Sequence, residues 1–74
     1  MIFTDGSHLV SDKSLDELHL FARLIGLRHE WFQNHPRHPH YDITTSKKRE
    51  IAFKKGAIFT SSKEIVKICK KLEK

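Results

Sequence analysis

Gly56-Ala57-Ile58-Phe59-Thr60-Ser61-Ser62-Lys63-Glu64 packs a stop, a strand and a start into nine residues. Gly56 suits the left-handed position that closes a helix. Ala57–Thr60 is a short strand-forming run. Ser61 and Glu64 have the spacing of a capping box. The serine oxygen accepts from the amide three residues on, and the glutamate reaches back. The stretch therefore reads as helix, turn, strand, helix.

Working outward, Ile65, Ile68, Cys69 and Leu72 fall on one face of the final helix, with Lys67, Lys70, Lys71 and Lys74 elsewhere. The same grammar occurs earlier. Ser14-Leu15-Asp16-Glu17 is a second capping box, Leu15, Leu18, Phe21, Ala22 and Ile25 form an apolar face, and Gly26 closes the helix before a strand over Leu27–Phe32. Thr44-Thr45-Ser46 offers caps for a helix over Ser46–Lys55. At the start, Ile2-Phe3-Thr4 is strand-forming, Asp5-Gly6 is a turn pair, and His8-Leu9-Val10 resumes the extended pattern as a hairpin arm or an interrupted strand.

The simplest assembly is βαβαβα, a small α/β module of two or three layers with three helices and a short, mostly parallel sheet. Ile2–Thr4 is expected to lie parallel to Ala57–Thr60. In that arrangement the βα connections gather at the carboxyl edge of the sheet, where open α/β folds bind ligands. They carry Asp5, His8, Ser11 and Asp12, then residues 35–45, then Ser61 and Ser62.

Residues 35–42, His35-Pro36-Arg37-His38-Pro39-His40-Tyr41-Asp42, hold three of the six histidines and both prolines. Each proline biases the residue before it away from helix, so this is an extended connection between two helical halves. Imidazole, phenol and carboxylate concentrated in one loop mark a candidate site.

The length fits one domain, and the periodicity argues against disorder. No apolar run is long enough to span a membrane. The opening residues lack the basic and apolar regions of a signal peptide, and a single cysteine excludes an internal disulfide; both point to a cytoplasmic protein. The net charge of +5 is uneven. Residues 1–45 carry four basic and six acidic groups, residues 46–74 ten basic and three acidic, a balance of −2 against +7. Such polarity steers anionic partners, although a solvated lysine-rich surface would look the same.

His8-Leu9-Val10-Ser11-Asp12, Glu17-Leu18-His19, Trp31-Phe32-Gln33, His40-Tyr41-Asp42, Ser46-Lys47 and Gly56-Ala57 with Ser61 together resemble domain of unknown function 4031, a small family of bacterial and phage proteins. The resemblance covers nearly the whole chain. It implies a bacterial or phage source and draws Gln33 into the candidate set; His19, at the margin of the apolar face of the first helix, joins it from its own position, although a half-buried histidine with one hydrogen bond would read the same. It supplies no mechanism. This chain departs from the family in a very short segment between Asp5 and His8 and a longer linker before His40.

Three constellations carry chemistry. His35, His38, His40 and Asp42 have donor types that suit a divalent metal such as zinc or manganese, although a proline-braced polar loop needs no ion. His40, Asp42 and His8 could serve as ligands or acid–base groups of a metal-dependent phosphodiesterase or nuclease. Ser46, Lys47 and Lys48, with Arg49, open a helix where the dipole disfavours cations, and a bound phosphate would reconcile them. The leading expectation is a module binding a phosphorylated ligand, nucleotide or nucleic acid, through His8, His19, Gln33, His40, Tyr41, Asp42, Ser46, Lys47 and Lys48. The hydrolase is one alternative. A phage-encoded inhibitor that docks on a host protein through its basic last helix is another. Trp31 and Phe32 are expected in the core, and Cys69 as a small hydrophobe.

Overall fold

The structure, a computed structural model, describes residues 1–35 and 37–72, with side chains through residue 70. The expected positions of Lys71, Leu72 and Lys74 on the last helix lie outside the described side chains, as does Pro36. In order, the elements are β1 (Ile2–Thr4), β2 (His8–Ser11), α1 (Leu15–Leu24), a 3₁₀ turn (His29–Trp31), β3 (Phe32–Gln33), β4 (His40–Asp42), α2 (Ser46–Lys54), β5 (Ile58–Phe59) and α3 (Ser62–Leu72). Among the described residues, no helix is long and apolar enough to cross a membrane.

The three expected helices form, and the sheet order is β3-β4-β2-β1-β5. The β1–β5 pairing is parallel, with Phe3 beside Ile58 and Thr4 beside Phe59. The other three pairings are antiparallel. A mostly parallel sheet is therefore corrected to a mostly antiparallel one, for two physical reasons. Asp5-Gly6-Ser7 turns β1 straight back onto β2, with Gly6 at φ +97°. And the His-Tyr-Asp stretch, read as loop, is a strand joined to β2 and β3. The strand expected over Leu27–Phe32 is mostly the 3₁₀ turn, leaving only Phe32 and Gln33 to pair.

Strand alternation sorts the sheet into two faces. Leu9, Tyr41, Ile2 and Ile43 pack with Leu18 and Ala22 of α1, with Ile25 just after it, and with Ala52 of α2. Val10, with Phe3 against it, packs with Ile65, Ile68 and Cys69 of α3. The sheet is thus the middle of three layers, and Cys69 is buried in the second cluster.

The helix starts follow their caps. Ser14 Oγ accepts from the Glu17 amide at 3.1 Å, Thr45 Oγ1 from the Lys48 amide at 3.2 Å, and Ser61 Oγ from the Glu64 amide at 3.2 Å. The Glu17 carboxylate does not complete its box. It accepts instead from the Ser11 hydroxyl and, at 2.9 Å, from the Met1 ammonium, and those contacts hold its carboxyl below the usual range.

Candidate functional site

The β1–β2 turn is built by Asp5. Its Oδ1 accepts from the amides of Ser7 and His8 at 2.9 and 2.8 Å, and Oδ2 accepts from Ser62 Oγ of α3 at 2.7 Å. The same carboxylate receives His8 Nδ1 at 3.0 Å. Burial pushes the Asp5 carboxyl up, but the hydrogen bonds from His8, Ser62 and the two amides outweigh it and hold it well below the usual carboxylate range. Asp5 is therefore an ionised acceptor, and His8 Nδ1 is the donor to it. Nε2 is the ring nitrogen that Asp5 does not hold.

His40 is prepared in the same way. Its Nδ1 lies 2.5 Å from the backbone carbonyl of His38, which can only accept. His40 Nδ1 is the donor, and Nε2 is again left over. That Nε2 lies 3.2 Å from Asp42 Oδ1. Two acceptors at this distance require something positive between them, either a second proton on His40 or a shared cation.

The sheet brings His8 into the same place. His8 is opposite Asp42 across the β2–β4 ladder, and the His8 and His40 rings meet edge to face with centroids 5.2 Å apart. Donor atoms of His8, His40 and Asp42 all lie within 4.8 Å of one another. Metal bonds of about 2.1 Å set tetrahedral ligands about 3.4 Å apart. The His40–Asp42 pair already meets that spacing at 3.2 Å, and a His8 ring nitrogen lies within 4.8 Å of both. Two imidazoles whose far nitrogens are held by oxygen acceptors, with one carboxylate, form a donor set suited to zinc, manganese or iron(II).

Two cavities meet at this group. One of about 210 Å³ is lined by Asp5, His8, His38, His40 and Ser62, with Ile65, Val66 and Cys69 of α3 as its apolar wall. His38 Nδ1 is buried without a hydrogen-bond partner among the described residues, a polar atom left for a ligand or a water. The other, about 370 Å³, runs past Asp42 to Glu30, Trp31, Gln33 and Thr44.

The structure gathers His8, His40 and Asp42 and brings Gln33 opposite His40. It does not gather the rest of the candidate set. His38 lines the smaller cavity but lies outside the three-residue group, and His35 is exposed and stacked on His38. His19 and Tyr41 sit on the other face of the sheet. There His19 Nδ1 is 2.7 Å from the Tyr41 hydroxyl, within a nest of His29 and Phe32. Burial is the main force lowering the His19 pKa and raising that of Tyr41. Ser46 and Lys47 are exposed on α2. Lys48 Nζ donates to the Ile25 carbonyl at 3.3 Å, closing the end of α1, and Arg49 Nε donates to the Gly6 carbonyl at 2.8 Å. The cations at the start of α2 are thus partly occupied as ties to neighbouring turns.

Asp5 was legible as a turn signal, and Asp5 and Ser62 as members of the connections at the carboxyl edge of the sheet. Their role as supports of His8 needed the β1–β5 pairing. Trp31, expected in the core, is 45% exposed.

No curated protein and no solved structure matches the chain. A family model does match, over residues 4–72, and its description is protein of unknown function (DUF4031). With nearly the whole chain inside that match, this protein belongs to the DUF4031 family.

Proposed function

We propose that the chain is a metal-dependent phosphoester hydrolase, with His8, His40 and Asp42 holding one divalent cation. The observation that carries this reading is the 3.2 Å contact of His40 Nε2 with Asp42 Oδ1 while both histidine Nδ1 atoms are committed to acceptors. Three protein ligands leave coordination positions open. A cation bound there would lower the pKa of a bound water and offset charge on phosphoryl oxygens. In the reaction a water oxygen bonds to phosphorus, the P–O ester bond breaks, and the water's proton ends on the leaving oxygen. Asp5 orients His8, the His38 carbonyl orients His40, and α3 shields one side of the site. The excess of basic charge in residues 46–74 favours an anionic substrate.

The test is hydrolysis of bis(p-nitrophenyl) phosphate by chelator-stripped protein with and without added zinc or manganese. Turnover is expected only with metal, and Asp42→Asn and His40→Ala are expected to abolish it. Absence of turnover under every metal, or turnover that survives both substitutions, would overturn the reading.

A further inference from the structure

We infer that the groove beside Asp42 is a nucleobase subsite with the Trp31 indole as its stacking face, so that the phosphoester brought to the metal group belongs to a nucleotide. This rests on the hydrolase reading and names its substrate class.

Trp31 is the only tryptophan in a chain short of core. Burying it would stabilise the fold, yet it stands 45% exposed at the end of the 3₁₀ turn, where its amide donates to the Arg28 carbonyl at 3.0 Å. The large aromatic surface therefore sits on a fixed backbone at the wall of an open groove. Around it are a carboxylate, an amide and a hydroxyl from Glu30, Gln33 and Thr44. Glu30 accepts hydrogen bonds, while Gln33 and Thr44 both donate and accept. A flat ring with a mixed donor–acceptor edge matches such a wall, because every base offers a π-face and its edge carries both kinds of group.

The groove also has the right neighbour. Asp42 lines it and belongs to the metal group, and Gln33 is the cross-strand partner of His40. A base on Trp31 would place its own phosphate toward the cation. The smaller cavity has an apolar helix wall and no aromatic ring except imidazoles, so it offers a poorer stacking surface.

Because Trp31 is the sole tryptophan, its fluorescence reports the subsite directly, without catalysis. Zinc-loaded protein is titrated with adenosine, cytidine, guanosine and uridine monophosphates, with ribose 5-phosphate, and with a short single-stranded oligonucleotide. Saturable quenching by the nucleotides and not by ribose 5-phosphate is expected. Trp31→Ala, read by competition or calorimetry, should weaken nucleotide binding about five- to a hundred-fold, and Trp31→Phe should restore part of it. The zinc-dependent rise in Tm should survive in both variants. A salt-steep, tighter response to the oligonucleotide would assign the nucleotide unit to a polymer, and an equal, salt-shallow response to a free nucleotide. Unchanged fluorescence, or ribose 5-phosphate binding as well as the nucleotides, would overturn the inference. If metal-dependent phosphodiester turnover persisted in that case, the hydrolase reading would stand without it.

Discussion

His8 and Asp42 face each other across the β2–β4 ladder, one position from the buried pair Leu9 and Tyr41. Side-chain direction alternates along a strand, so a register slip of one residue would send one donor of the metal group through the sheet. The core pair that fixes the register thus also fixes the site. If the group holds a cation, a hundredfold excess of metal over Kd should stabilise the fold by about 2.7 kcal/mol. In a domain of this size that corresponds to about 10 °C or more in Tm. Thermal melts with and without metal are the measurement, and His8→Ala and His40→Ala should each remove the rise.

Asp5→Asn keeps an oxygen for the Ser7 and His8 amides, so the turn should survive. It removes the charge that holds the His8 tautomer. Metal affinity should fall about ten- to a hundred-fold, as is usual when a histidine ligand loses its carboxylate partner. Isothermal titration with zinc reads this, and an affinity equal to the parent protein would show that Asp5 serves the turn alone.

Lys48→Met tests the tie between α2 and α1. The substitution keeps the side-chain stem and removes the donor to the Ile25 carbonyl, at the end of α1 where a cation also suits the helix dipole. A loss of about 1 kcal/mol is expected in urea denaturation. Nucleotide binding should not change, since the Lys48 ammonium is committed to the Ile25 carbonyl and Lys48 does not line Trp31's groove. A large loss of binding with unchanged stability would instead return Lys48 to a ligand-contacting role.

The elements whose ends are set by local chemistry were legible in the sequence. Ser14, Thr45 and Ser61 announce three helices, and the parallel match of Ile2–Thr4 with Ala57–Thr60 follows from the strand that lies between Gly56 and Ser61. The illegible parts were those where local signals conflict with tertiary pairing. Pro36 and Pro39 made residues 35–42 read as one loop, although His40-Tyr41-Asp42 alternates as a half-buried strand should. Once that strand is placed between β2 and β3, the sheet is mostly antiparallel. His8 then joins His40 and Asp42, while His19 and Tyr41 pass to the opposite face. The burial of Trp31 was misjudged because hydrophobicity alone does not distinguish a core ring from a ring held at a groove.

The His19–Tyr41 pair predicts an acid-sensitive fold. Burial, then the nearby His29, lowers the His19 pKa, with Asp16 opposing; the Tyr41 hydroxyl is its hydrogen-bond partner and Arg23 acts on Tyr41. A lowered folded value means that the unfolded chain takes up the proton first. The contribution of His19 is full above about pH 6.5 and is lost as pH falls through the folded value. His19→Gln keeps a polar partner for Tyr41 and does not titrate. Melting curves between pH 5 and 8 should therefore show a shallower fall of Tm on the acid side for the variant than for the parent. Parallel curves would remove His19 from this role.

The pairing of β1 with β5 joins residues more than fifty positions apart, Thr4 beside Phe59. The three candidate donors His8, His40 and Asp42, in contrast, come from β2 and β4, both complete by residue 42. During synthesis the three donors emerge well before the strand that finishes the sheet, and α3, which walls the smaller cavity, follows that strand. Closing that loop costs somewhat more chain entropy than the shorter closure that sets His8 beside Asp42. An ion captured by the first half of the chain would meet its donors while one wall of the site was still unmade. The α3 segment, held to Asp5 through Ser62, is then what gives that side-chain group its apolar wall.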